Sequence, residues 1–329
     1  MTTKNLIGLA AVAVVLGGAA YFLNGGAKSS SPKLNGKAVV PGLNASEVAK
    51  IEIGAKLALA AGDKGWTIAS LNGYPADREK IVENLLKLTE LKVGQVIRGK
   101  KLEATTPVVL KDAAGKELAK LELGPKHEKW GHGRYAQFSG ETVLVSDALE
   151  AYDGDAKQWC NTRIASIPST DVTAVSYKHG NELVELTKGT NSTWVLKGLT
   201  AKEELDTSKT YSLDSALSYL DFNSVADAKL TEAELGFSTG YVYTVTYKDG
   251  SNTVKRVATV GNKVKDGSDR YFKMDNGSWI FTISSYSAEN MMKTRKDLVK
   301  AKPEPEPKKE EAKKEEPKKP EAKKPEAKK

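Results

Sequence analysis

The chain has 329 residues, 40% hydrophobic and 28% charged, with 50 Lys plus Arg against 42 Asp plus Glu and a formal charge of +8. These proportions exclude a multi-span membrane protein and a wholly disordered chain, and the length suits one large or two ordinary domains. Nor is the charge a nucleic-acid footprint. Residues 301–329 hold 11 Lys and 8 Glu, so the tail carries +3 and the rest only +5, with no Lys/Arg stripe or nucleic-acid module.

Leu6 to Leu23 reads LIGLAAVAVVLGGAAYFL, 18 residues without a charge. As a helix it would be roughly 27 Å long, near the hydrocarbon thickness of a bilayer. A cleavable signal has a shorter apolar core, of about 7–15 residues. Gly25 and Ala27 could serve as small residues before a cut, but the longer core favours an uncleaved anchor. Lys4 ahead of it favours an inside N-terminus, and no cysteine follows to make a lipoprotein. The expectation is a single-pass protein of a bacterial inner membrane, anchored through residues 6–23, with its body on the periplasmic side. Residues 1–27 are read as the anchor and the start of a tether, and residues 28–44 as the linker.

The body reads twice. Val48 to Ile53 and Val172 to Tyr177 open two apolar, strand-like segments, each followed by a short strand with tryptophan, Gly65-Trp66-Thr67-Ile68 and Ser192-Thr193-Trp194-Val195-Leu196. A helix is expected next in each copy. In the first, Pro75 opens it and Ile81, Leu85 and Leu88 form its apolar stripe, widened by Val82 and Leu86. In the second, Ser212 would cap a helix carrying Leu213, Leu217 and Leu220. Hairpins follow, Val108–Asp112 through Gly115 into Leu118–Gly124, and Tyr243–Asp249 through Gly250 into Val254–Gly261. Each copy closes on an Arg-Tyr pair and one more strand, Glu141–Val145 or Ser278–Phe281. The offset between copies is 137 residues at Asp112/Asp249 and Gly124/Gly261, and 136 at Arg134/Arg270. These marks predict an α+β fold: two tandem repeats of mainly antiparallel strands with one helix each, residues 45–160 and 161–300, after an N-terminal transmembrane helix. From Ala301 the chain is Lys, Glu, Pro and Ala only, and recurrent proline predicts a solvated, disordered tail over 301–329.

The anchor, "V-x-x-I-x-I", "G-W-x-I", "Y-P-A-D", "P-x-V-L-x-D" running to "L-x-L-G", and "G-x-Y" together resemble the DUF4340 family over most of residues 45–285, with Leu235-Gly236-Phe237 resembling its element before the hairpin. The resemblance implies a membrane-anchored envelope protein of unknown activity, of a kind commonly encoded beside ABC-type transporters of the gliding-motility type. It brings no catalytic residues and no cofactor.

For ligand binding, the repeated Arg134-Tyr135 and Arg270-Tyr271 stand out, because arginine offers a fork for carboxylate or phosphate and tyrosine a stacking face. Neighbours on a strand point to opposite faces, so one of each pair belongs to the core. His127 and His132 are five apart with glycines nearby, unlike the i, i+4 zinc helix, so no metal site is expected. Asp153-Gly154-Asp155 and Asp266-Gly267-Ser268-Asp269 lack calcium-loop spacing and read as turns. The lone Cys160 excludes an intrachain disulfide and reads as a buried thiol. The leading expectation is a non-catalytic scaffold or accessory protein with an ABC-type transporter as a possible partner and no nucleic acid. The alternatives are a module binding envelope glycan or another anionic ligand, and an unrecognised enzyme.

Overall fold

The computed structural model describes residues 34–128 and 132–302. The apolar stretch Leu6–Leu23 and the tail from Pro303 lie outside the described residues.

The first unit contains β1 (Lys50–Ile53), β2 (Leu57–Gly62), β3 (Gly65–Ile68), β4 (Tyr74–Pro75), helix α1 (Arg78–Thr89), β5 (Val93–Val96), β6 (Thr106–Lys111), β7 (Glu117–Lys126), β8 (Arg134–Phe138) and β9 (Glu141–Val145). Its strands form one sheet in the order β4-β3-β2-β1-β6-β7-β8-β9-β5. After β10 (Arg163–Ala165), the second unit contains β11 (Val172–His179), β12 (Glu182–Lys188), β13 (Trp194–Leu196), β14 (Glu203–Leu205), β15 (Leu220–Asp221), β16 (Ser224–Val225), helix α2 (Glu232–Leu235), β17 (Tyr241–Asp249), β18 (Asn252–Lys263), β19 (Arg270–Met274), β20 (Phe281–Ile283), helices α3 (Ser285–Glu289) and α4 (Arg295–Leu298), and β21 (Val299–Ala301). Its main sheet runs β13-β12-β11-β17-β18-β19-β20-β16. Laid side by side, the two sheets have one strand order, with β4 as an extra edge strand in the first. Pairing is antiparallel throughout both main sheets.

The alternation read from the sequence is what buries these strands. Ile51 and Ile53 of β1, Val108 and Leu110 of β6, and Leu121 and Leu123 of β7 all face the core. Val175 and Tyr177 of β11 and Tyr243 and Val245 of β17 do the same in the second unit.

The α+β expectation with one helix per repeat is corrected. The protein is mainly antiparallel β, and α1 is the only α-helix longer than five residues among the described residues. It is amphipathic as expected, burying Ile81, Leu85 and Leu88, but Val82 and Leu86 stay about half exposed. Pro75 does not open it. Pro75 pairs in β4, and the cap is Asp77, whose carboxylate accepts from the Glu79 and Lys80 N–H groups.

The second expected helix, over Ser212–Leu220, is a run of turns that ends in β15 at Leu220. Its Leu213, Leu217 and Leu220 are buried all the same. Two causes act together. Serine side chains favour local backbone bonds over the helix, and the Ser215 hydroxyl donates to the Ser212 carbonyl. Tertiary donors also take the helix's acceptors: the Tyr243 hydroxyl bonds the Leu213 carbonyl at 2.9 Å, and the Ile167 N–H bonds that of Leu217 at 2.9 Å.

The transmembrane part of the same expectation finds no helix here. Among the described residues none is long and apolar enough to cross a membrane. The segment read as the tail also begins later than Ala301, which pairs with Glu203 between β21 and β14.

One contiguous set of buried side chains runs through both units, from Val39 to Leu298. The units meet where the chain leaves β3. Asn72 takes the left-handed conformation, φ 55°, and its amide donates to the Val225 and Ala226 carbonyls at 3.1 and 3.0 Å. Two residues on, the Tyr74 ring stands edge-on to Phe222 and Trp279, each at 5.1 Å, and to Phe281 at 6.0 Å. Phe222 and Phe281 stack on each other beneath it. So the β4 edge of the first sheet abuts the β16–β20 edge of the second.

The core of the second unit holds two tyrosines that differ in one bond. Tyr243 has the Leu213 carbonyl as its acceptor, while the buried Tyr177 hydroxyl has no hydrogen-bond partner. A satisfied bond contributes about 1 kcal/mol, whereas an orphaned buried hydroxyl costs about 1–3 kcal/mol. Tyr243→Phe is therefore expected to lower the unfolding free energy by about 1 kcal/mol, and Tyr177→Phe to leave it equal or raise it. Urea unfolding midpoints at constant slope decide this, and a larger loss for Tyr177→Phe would contradict it.

Candidate functional site

The two Arg-Tyr pairs sit at equivalent β-bulges. The β7–β8 register shifts between Leu123 and Lys126, and the β18–β19 register between Val260 and Lys263. Each bulge contains a glycine whose carbonyl the arginine takes. Arg134 Nε donates to the Gly124 oxygen at 2.7 Å, and Arg270 Nη1 to the Gly261 oxygen at 2.8 Å. Close approach demands glycine at the second bulge, where the neighbour is backbone, and crowds the first, where it is a leucine tip that can shift. A Cβ on Gly124 would lie 2.8 Å from Leu102 Cδ1, and one on Gly261 would collide with the Leu235 carbonyl. The repeated Leu-x-Leu-Gly and Val-Ala-Thr-Val-Gly endings of β7 and β18 are thus the mark of a covered bulge. A leucine from a loop covers the first, and Leu235-Gly236-Phe237 at the end of α2 covers the second.

Beyond that shared bond the pairs diverge. Arg134 is 5% exposed, and its Nη1 also reaches the Ala148 and Leu149 carbonyls at 3.4 and 3.3 Å and the Asp153 carboxylate at 2.7 Å. Lys126 bonds the other Asp153 oxygen at 2.8 Å. This guanidinium is committed to bracing the chain after β9. Tyr135 points the other way, half-buried, with the Lys100 ammonium 3.7 Å above its ring and the His127 ring 5.5 Å away. In the second unit the roles of inside and outside shift. Tyr271 is buried with Ala226, Leu235 and Phe237, and Arg270 is half-buried with the one carbonyl bond. The structure therefore does not bring the four residues together, and of the two rings Tyr135 is the more accessible.

Two of the concavities form a matched pair. In the first unit a cleft of 680 Å³ lies between α1, through Lys80, Glu83, Asn84 and Lys87, and the segment after β9, through Ser146, Asp147 and Glu150. In the second a cleft of 600 Å³ lies between residues 206–212, in the place of α1, and the segment after β20, through Glu289, Lys293 and Lys296. Sequence reading missed both, because each is formed by segments that meet only when the strand order is known. The 3,4-spaced polar face of α1 is the one signal of the first.

The remaining candidates resolve as turns and core. Asp155 caps a short 3-10 turn by accepting from the Lys157 N–H. Among the described residues no group of three or more His, Cys, Asp or Glu is placed to hold a metal ion. Lys129–Gly131 of the histidine loop lie outside the described residues. Cys160 is fully buried at the unit junction; burial pushes its thiol up to about 11, with Lys80 opposing and Asp155 and Asp77 reinforcing.

Two outcomes follow. Arg134→Ala removes the guanidinium donor from the buried Gly124 and Ala148 carbonyls, while Leu149 keeps the Tyr152 N–H and Asp153 keeps Lys126. It should cost about 2–4 kcal/mol of unfolding free energy, with Arg134→Lys recovering only part. Arg270→Ala removes one half-buried bond and should cost about 1 kcal/mol. Equal losses in chemical denaturation would contradict this asymmetry. Because its thiol stays protonated and covered, Cys160 should resist iodoacetamide at pH 8 in the folded chain and react on adding denaturant. Rapid labelling without denaturant would count against the buried position.

Comparison with known proteins gives one match. Residues 66–239 fit the family described as Domain of unknown function (DUF4340), a span that starts in β3 and ends just before β17. No curated protein and no solved structure matches the chain. The matched span is 174 of the 329 residues, and the chain belongs to the DUF4340 family.

Proposed function

We propose that this chain is a non-catalytic, membrane-anchored scaffold or accessory protein of the cell envelope, holding its two-sheet body outside the cytoplasm against a membrane partner of the ABC-transporter type. The observation that carries the reading is the uncharged Leu6–Leu23 stretch followed by a body whose two units are fixed edge to edge. A scaffold needs surfaces held at constant spacing, and the Asn72 and Tyr74 contacts supply that spacing. Val39 and Gly36 bond the Leu91 and Val93 carbonyls, so the chain enters the body along the β5 edge, at the far end of the first sheet from the second unit. Entry at the opposite edge of the sheet from the β4 junction supports a second unit left free for a partner.

Crosslinking in intact cells, followed by affinity purification of the solubilised full-length chain, tests the reading. Stoichiometric recovery of transporter subunits is expected, and recovery should be lost when residues 45–285 are removed while the anchor remains. Recovery of no membrane protein, or recovery that survives the deletion, would contradict it.

A further inference from the structure

The two equivalent clefts act as controls for each other, and they differ in how their charges are used. In the first, every charged lining group among the described residues already has an internal partner. Glu83 pairs with Lys87 at 2.7 Å and Lys80 bonds the Cys160 carbonyl at 2.7 Å. Asp147 accepts from the Leu149 N–H, and Glu150 lies 3.6 Å from Lys126. In the second, the side chains of Lys209, Lys293, Lys296 and Glu289 line the cleft without a hydrogen bond or ion pair to the described residues. The acids Asp206 and Asp297 there are spent on local caps, accepting from Ser208 and Thr294.

Aromatic exposure separates them further. Among the described residues, no aromatic ring lines the first cleft apart from His132. Tyr211 lines the second and is 80% exposed, and Tyr286, on α3 one turn before Glu289, is 75% exposed. A bare tyrosine ring offers an apolar face with a polar tip. The charges around it nearly balance, so the cleft is not built for a polyanion, which needs a clear positive excess. Interspersed ammonium donors and carboxylate acceptors beside a flat ring instead suit a ligand whose hydroxyls both donate and accept and whose ring presents C–H groups.

We propose that the second-unit cleft binds a saccharide chain, with the Tyr211 ring as stacking platform and Lys209, Lys293, Lys296 and Glu289 bonding its hydroxyls. The proposal stands apart from the scaffold reading, since a protein can hold glycan with or without a transporter beside it.

The solubilised full-length chain is applied to an array of neutral, N-acetylated and uronic-acid oligosaccharides, and each retained sugar is titrated calorimetrically. At least one sugar should bind. Tyr211→Ala should weaken it by about tenfold or more, and Tyr211→Phe, which keeps the stacking face, should remain within about threefold of the parent. Lys87→Ala in the first cleft should leave affinity unchanged. No retained sugar, or binding indifferent to Tyr211→Ala, would overturn the proposal. Tyr211-dependent binding of a Glu-rich peptide in place of any sugar would also overturn it, in favour of a peptide site.

Discussion

The edge-to-edge junction between the two sheets is the contact on which the rest of the molecule depends. Its directional contacts are few: one asparagine amide on two carbonyls and one tyrosine ring among three aromatic rings, beside a buried core contiguous through both units. Hydrogen bonds of this kind contribute about 0.5–1.5 kcal/mol each, and aromatic pairs a similar amount beyond the area they bury. Neither is large against the whole fold. Their importance is positional, since they fix how the two sheet edges meet over the shared core. The connecting chain after Trp159 is itself pinned: the Trp159 carbonyl accepts from the Asp77 N–H at the start of α1, and the Thr162 carbonyl from the Phe222 N–H. The left-handed turn at Asn72-Gly73 matters because it aims the amide across the gap. A residue with neither an amide nor tolerance of positive φ could not make the same bonds.

On that frame the two units solve one covering problem differently. Each has a sheet with an apolar face, and each must roof it. The first uses α1 with the 150–160 segment, where Tyr152 and Trp159 stand edge-on and the Tyr152 hydroxyl bonds the Asn84 carbonyl. The second uses turns over 207–220 together with α3 and α4, burying Leu213, Leu217, Ala288, Met291 and Leu298. A helix satisfies its own carbonyls, and turns borrow donors from the sheet below. The looser roof leaves Tyr211, Tyr219 and Tyr286 in solvent. The difference between the two clefts follows from this difference in roofing.

Much of the sheet architecture was legible in the sequence. Period-two alternation placed β1, β6, β7, β11, β17 and β18, and the paired Gly and Arg-Tyr marks, read only as signs of the repeat, fall at two bulges that the sequence did not announce. The second helix misled because Leu213, Leu217 and Leu220 keep helical spacing and are buried, while their backbone bonds are settled by Tyr243 and Ile167, far away in sequence. Pro75 misled in a similar way: proline suits a first helical turn and also an edge strand, and here the edge strand prevailed. The arginines were visible as a repeated pair, but their direction was not. Whether a guanidinium meets carbonyls inside or a ligand outside depends on the segment that folds over it. The clefts and the junction were not legible, since no local pattern tells Asn72 that its acceptors are Val225 and Ala226.

Calorimetric unfolding of the full-length chain tests most directly whether the junction makes the two units one body. The account predicts a single transition for the parent chain, with calorimetric and van't Hoff enthalpies equal, and separation into two transitions in Tyr74→Ala. Two transitions in the parent chain, or a single one undisturbed by Tyr74→Ala, would contradict it.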